Sequence, residues 1–193
     1  MDAQSEVLEE LVELAEAAAI PIWLYGGYGL DALEGRGLRS HGDIDFFVRK
    51  EDHERLRGAL CESGFAVVDV QPHHSKFEKM GQSLDCLTYE KWRDGTLVTN
   101  SGDEGVWPWP DNAFPDQPNG ELVGHRVRAI SYEAFYVFKA GWETYDPGRP
   151  LREKDRDDLG VIEHRVPPAA RRELESLFEP LPGTRKRYPG DKA

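Results

Sequence analysis

The sequence predicts an α+β fold: a mixed β-sheet flanked by helices, with a small C-terminal helical lobe. Three observations carry this. The apolar period alternates between helical and strand spacing through the first 70 residues, giving a β-α-β-α-β order behind an opening helix. The last strand of that order begins three strand-like runs, with little room for crossover helices between the last two, which marks a meander and argues against a doubly wound parallel sheet. Beyond Ser131 the pattern is helical and punctuated by proline and glycine. The expected division is a main domain over 1–130, a helical lobe over 131–182 packed on it, and a mobile polar tail over 183–193. A chain of 193 residues suits one domain with such an appendage.

Each element has its own signal. Val7, Leu8, Leu11, Val12, Leu14 and Ala15 recur at helical spacing opposite a glutamate-rich side, so an amphipathic helix opens the chain and Pro21 ends it. Ile22-Trp23-Leu24-Tyr25 reads as a buried strand entering a tight Gly26-Gly27 turn, followed by a short helix through Leu30–Leu33. Asp43–Val48 is the second strand, and Glu51–Glu62 is a helix closed by Gly64. Phe65–Val70, Lys76–Met80 and Ser83–Thr88 form the meander. Residues 92–124, rich in proline, glycine and aromatics (Trp107-Pro108-Trp109-Pro110, Phe114-Pro115), are expected to be an ordered but irregular excursion. A strand over His125–Ala129 precedes a helix from Tyr132 to about Tyr145, N-capped by Ser131 and broken by Asp146-Pro147-Gly148. Two more helices are expected over Leu151–Glu163 and Pro168–Phe178.

Composition narrows the classes of function. Lys plus Arg is 24 against 36 Asp plus Glu, a formal net charge of −12. A duplex binder needs a cationic field, so nucleic acid is not the expected partner; such a field would draw in a cationic small molecule, or serve only solubility. Cys61 and Cys86 match no zinc or redox spacing and read as thiols of a reducing compartment. With no basic, apolar leader and no apolar run near the roughly 18 residues of a membrane span, a cytoplasmic protein is expected, as monomer or homodimer.

The chemistry concentrates between Trp23 and Asp45. Asp43 and Asp45 share one face of a strand while Ile44, Phe46 and Val48 take the other. Two neighbouring carboxylates repel, which a bound Mg²⁺ relieves; a charge-blunted strand edge is the alternative. The glycine turn at a helix start supplies an anion nest, and a nest beside a metal dyad is what a nucleoside triphosphate requires.

Strand, Gly26-Gly27, short helix with Asp31, a link bearing Arg36, Arg39 and His41, then Asp43-Ile44-Asp45: this order resembles the nucleotidyltransferase superfamily of the DNA polymerase β type. It is most similar to the aminoglycoside 2″ and lincosamide adenylyltransferases, over about Trp23 to His164. Tyr28, Gly29 and Gly42 depart from the usual Trp, Ala and acidic residue. The resemblance implies the nucleotidyltransferase fold, ATP or another NTP as donor, two Mg²⁺ ions, and transfer of AMP to a hydroxyl of a small, possibly cationic acceptor with release of pyrophosphate. It implies that Asp43, Asp45 and Asp85 are metal ligands, with Asp85 also the base. Asp69 and Asp94 are the substitutes for Asp85, and an outward-facing carboxylate is the other account of it. It further implies nucleotide contacts from Gly26, Gly27, Arg39, His41, Lys139 and Lys154, although a salt-bridged helix face explains Lys154 equally well. Trp107, Trp109, Asp103 and Glu104 are candidates to line the acceptor.

Two other readings compete. One is AMP transfer to protein or RNA by a toxin or antitoxin component. The other is a small NAD-binding protein, suggested by Gly27-x-Gly29-x-x-Ala32 but opposed by the meander and by acidic residues that open the second strand. His73-His74, without a metal-spaced partner, reads as a polar turn.

Overall fold

A computed structural model describes residues 3–71, 73–145 and 150–184. In chain order the elements are α1 (Ala3–Ala17), β1 (Ile22–Tyr25), α2 (Gly26–Glu34), β2 (Asp43–Arg49), α3 (Lys50–Glu62), β3 (Ala66–Gln71), β4 (His74–Lys79) and β5 (Gln82–Lys91). There follow β6 (Leu97–Asn100), β7 (Val106–Trp109), β8 (Gly120–Leu122), β9 (His125–Val127), α4 (Tyr132–Ala140), α5 (Trp142–Tyr145), α6 (Glu153–Arg165) and α7 (Pro168–Leu174). They group into two compact units, Met1–Glu90 with Asn112–Ser131 and Lys91–Asp111 with Tyr132–Ala193. Residues 91–111 thus group with the helical segment. The expected chain break at Asp146-Pro147-Gly148 and residues 185–193 of the expected tail lie outside the described residues.

The first unit is built on a mixed sheet in the order β1-β2-β5-β4-β3. β1 runs antiparallel to β2, β2 parallel to β5, and β5-β4-β3 form the antiparallel meander. Helices α1 and α3 cover one face: Val7, Leu8, Leu11, Leu56 and Leu60 pack with Ile22, Leu24, Ile44, Phe46, Val48, Phe77 and Leu84 in one core. The alternation read from β2 holds on that side, but Phe47 is buried too. The opposite face carries an aromatic cluster in which Tyr89 stacks on Phe114 with centroids 3.7 Å apart, and Trp23, Tyr25 and Phe47 meet its edges. Trp23 Nε1 donates to Pro115 O at 2.8 Å. The outer edge of β1 is closed by the returning chain, with Leu24 N–H donating to Arg128 O (2.9 Å) and Ile130 N–H to Leu24 O (3.0 Å). The returning chain thus covers the β1 edge at Leu24.

In the second unit, the expected irregular excursion contains an antiparallel hairpin, with Leu97 opposite Trp109 and Asn100 opposite Val106. Pro108 had argued against a strand, because proline cannot donate to a ladder. It is accommodated opposite Val98, and a 3-10 turn over Gly102–Glu104 closes the loop. The helix expected from Tyr132 to Tyr145 is split at Gly141, where a Cβ would lie 2.6 Å from Val137 O. The last helix gives way to a 3-10 turn over Glu175–Leu177.

Lys139 pins α4 to α6. Its buried ammonium lies 2.5 Å from Asp155 Oδ1 and 3.0 Å from Asp158 Oδ2, while Arg152 Nε reaches Asp155 Oδ2 at 2.6 Å. Burial pushes the Asp155 carboxyl up, but hydrogen bonds from Arg152 and Lys139, with their charges, outweigh it and hold it down to about 2. A carboxyl depressed in the folded state contributes stability that is complete above its unfolded value, about 3.9, and is lost as pH falls towards 2. Near-UV circular dichroism on acidification should therefore report weakening of this unit between about pH 4 and pH 2. Lys139→Met removes a buried cation from between Asp155 and Asp158 and should cost about 3–5 kcal/mol in urea unfolding at pH 7.

Candidate active site

The parallel pairing of β2 with β5 is what builds the site. It sets Asp45 opposite Asp85 and Asp43 opposite Ser83, so the period-2 alternation turns three carboxylates to one face. One oxygen from each of Asp43, Asp45 and Asp85 lies within 4.8 Å of the others, and all three residues are half-buried. At about 4–5 Å each like-charged pair repels by roughly 1 kcal/mol in water and about 3–4 kcal/mol at a protein surface. Three converging hard oxygens suit a divalent cation of the Mg²⁺ type, which cancels that repulsion.

The glycine pair completes this face. Antiparallel pairing sets Tyr25 opposite Asp45, so α2 begins where the carboxylates sit. Gly26 and Gly27, expected as a turn before the helix, are its first two residues, and the N-cap residue Tyr25 gives it no side-chain cap. The first-turn amides and the positive end of the helix dipole therefore face the carboxylates, as an anion site requires. Both glycines are dictated by approach distance. A Cβ on Gly26, whose φ is +60°, would lie 2.0 Å from Asp45 Oδ2, and one on Gly27 would lie 2.0 Å from His41 Nδ1.

Asp31, His41 and Arg39 fold the link between α2 and β2 onto this turn. Buried Asp31 accepts the Leu38 N–H on Oδ1 (2.9 Å) and meets His41 Nε2 on Oδ2 (2.6 Å). Arg39 Nη1 lies 2.9 Å from His41 Nδ1. A guanidinium only donates and a carboxylate only accepts, so the ring carries its proton on Nε2 and receives one bond on Nδ1. His41, expected at the outer phosphates, has a side chain only 4% exposed and both nitrogens engaged, and it supports Gly27 from behind.

Asp85 has two neighbours from β4: His74 Nε2 at 2.9 Å and Lys76 Nζ at 3.8 Å, both on Oδ1. Sequence reasoning set His74 aside as part of a polar turn. His73 is in the turn, but His74 is the first residue of β4 and reaches the candidate site. Its one sequence signal is its place two residues before Lys76 on the same strand face. Of the substitutes for Asp85, Asp69 lies on exposed β3 and accepts from Gln71, and Asp94 accepts the Thr96 N–H in a turn of the second unit.

A family model described as aminoglycoside-2''-adenylyltransferase matches residues 7–162 of this chain. The chain belongs to that family. As an adenylyltransferase it is 26% identical over 131 residues to a 2''-aminoglycoside nucleotidyltransferase of Escherichia coli, covering 68% of this chain and 70% of the relative. It is 25% identical over 152 residues to a lincosamide resistance protein of Staphylococcus haemolyticus, covering 77% and 88%. Among solved structures its fold matches ANT(2'')-Ia in complex with adenylyl-2''-tobramycin, with a TM-score of 0.76, 21% identity and coverage of 92% and 97%. It also matches the lincosamide adenylyltransferase LnuA bound to lincomycin, with a TM-score of 0.63, 21% identity and coverage of 84% and 97%. The expected nucleotidyltransferase fold is therefore the fold of this adenylyltransferase.

The remaining candidates of the adenylyltransferase lie in its second unit. Lys139 is engaged with Asp155 and Asp158 as described, and Lys154 is half-buried on α6. Trp107 and Trp109 are buried in β7, where Trp109 Nε1 donates to Thr99 Oγ1 at 2.9 Å, while Asp103 and Glu104 are exposed on the 3-10 turn. Cys61 and Cys86 are free, and burial pushes the Cys86 thiol up, which keeps it unreactive.

The glycine geometry gives a discriminating pair of variants. Gly26→Ala and Gly35→Ala both place a side chain at positive φ, costing about 1–2 kcal/mol each, but only the first meets a neighbour within 4 Å. By titration calorimetry, Gly26→Ala should lose binding of a Mg²⁺-loaded, non-hydrolysable ATP analogue. Gly35→Ala should keep it.

Proposed function

We propose that the protein transfers AMP from ATP to a hydroxyl of a small antibiotic of the aminoglycoside or lincosamide type and releases pyrophosphate. The observation that carries this reading is the carboxylate triad beside the glycine start of α2. Two Mg²⁺ ions held by Asp43, Asp45 and Asp85 would supply neutralisation of the triphosphate and a lowered pKa for the acceptor hydroxyl. The amides of Gly26 and Gly27 receive phosphate oxygens, and Arg39 contributes donors from the link behind them. The acceptor oxygen forms a bond to the α-phosphorus as the bond to the pyrophosphate oxygen breaks. Asp85 takes the hydroxyl proton on Oδ2, leaving Oδ1 to the His74 and Lys76 contacts.

The acceptor class rests on the relatives and on charge. A net charge of −12 favours a polycationic sugar, and Asp103 and Glu104 are the proposed contacts on the second unit. Lys154 is proposed to add charge at the nucleotide; the role that the geometry supports for Lys139 is the anchoring of α6.

The test is a mass-spectrometric assay of purified protein with each nucleoside triphosphate, Mg²⁺, and a panel of aminoglycosides and lincosamides. An adduct heavier than the antibiotic by one adenylyl group (AMP less water) is expected with ATP, and its loss on chelation of Mg²⁺. Asp45→Asn, which keeps side-chain volume, should reduce the rate by a factor on the order of 10²–10³ with an unchanged circular dichroism spectrum. A fully active Asp45→Asn would overturn the metal assignment. Asp103→Ala/Glu104→Ala should raise the KM for a cationic acceptor and leave kcat unchanged.

A further inference from the structure

We propose that His74 is a positioning residue for the Asp85 carboxylate, a role that rests on the reading of Asp85 as metal ligand and base. An aspartate carboxylate rotates broadly about its terminal torsion. Beside Asp43 and Asp45, Asp85 gains by swinging its charge away from them. A reactive geometry therefore needs a donor that fixes one oxygen and leaves the other for the reaction.

His74 is placed to do this. It stands opposite Leu87 in the β4–β5 ladder, one diagonal step from Asp85, a distance that an imidazole spans. Its Nε2 is 2.9 Å from Asp85 Oδ1, and since a carboxylate only accepts, the ring donates. Lys76, directly opposite Asp85, adds positive charge on the same oxygen from 3.8 Å but is too far to fix it by a hydrogen bond. Both contacts fall on Oδ1, which leaves Oδ2 for the reaction.

The strand under His74 is itself held. Ser75, the next residue, is fully buried on the helix-covered face, where its Oγ lies 2.9 Å from Nε2 of buried His53 on α3. On the other side, Thr88 N–H of β5 donates to His73 O at 3.0 Å. The His74 backbone is thus fixed from α3 and from β5, and the ring has a firm base from which to orient its partner. Groups that orient a metal-binding carboxylate in this way are worth about 10–100-fold in metal affinity or activity.

The experiment compares His74→Phe, which keeps the ring shape without the donor, with His74→Gln, whose amide places an N–H near the position of Nε2. Asp85→Asn sets the reference. Two readouts are taken: kcat and KM for AMP transfer to the antibiotic, and Mn²⁺ affinity by electron paramagnetic resonance in the presence of a non-hydrolysable ATP analogue. His74→Phe should lower kcat and weaken Mn²⁺ binding by about 10–100-fold, with KM for ATP nearly unchanged and the thermal midpoint preserved. His74→Gln should recover most of both losses. A His74→Phe protein with parental kcat and Mn²⁺ affinity, alongside an inactive Asp85→Asn, would overturn the role of His74 alone. So would a folded His74→Gln no better than His74→Phe. An Asp85→Asn protein with full activity and Mn²⁺ binding would overturn the reading of Asp85, and the role of His74 with it.

Discussion

The parallel register between β2 and β5 is the constraint on which the rest of this adenylyltransferase depends. It brings Asp45 level with Asp85 and leaves Asp43 one step along on the same face. A slip of one residue in either strand would turn its carboxylates into the helix-covered core, where Ile44, Phe46, Leu84 and Cys86 are buried. The register is therefore specified by hydrophobic burial. The apolar face fixes the alignment, and the acidic face inherits it.

The two faces of the sheet divide the work. Helices α1 and α3 form a continuous aliphatic core under one face, while the other pairs a rigid aromatic cluster with the polar site. The aromatic contacts of Trp23, Phe47, Tyr89 and Phe114 stiffen β1, β2 and β5 next to the carboxylates without adding a polar atom that would compete for a cation. The link bearing Arg39 and His41, tied by hydrogen bonds to Asp31 of α2, does the same for the glycine turn. The site is thus held by strands and a helix start, and by a single short link anchored on that helix.

Local signals were legible in the sequence and long-range ones were not. The period of α1, the apolar strand β1 and the alternation in β2 are written in neighbouring residues, so the fold class and the Asp43-x-Asp45 face could be read directly. The hairpin of β6 and β7 was masked by Pro108 and Pro110, whose local meaning is to interrupt a strand. The split at Gly141 depends on a carbonyl one turn away and on Phe178, far along the chain. At the site, the proximity of Asp85 to the dyad is a matter of register, which no local pattern states. His74 shows the limit most clearly. Its sequence neighbours suggested only a turn, and its partner is reached across the ladder. For His41 the family resemblance implied a nucleotide contact, and its close approach to Gly27 becomes visible only with both in space.

The parallel pairing also has a kinetic side. Asp45 and Asp85 lie about 40 positions apart, with α3 and the β3–β4 hairpin in the chain between them, and non-local pairings of this kind slow folding. Closing a loop of that length costs entropy that is repaid only when the last strand docks. The triad therefore cannot assemble from either strand alone. A chain in which β5 has not paired with β2 lacks the third carboxylate beside the dyad, so the three-oxygen cluster exists only once that non-local pairing has formed.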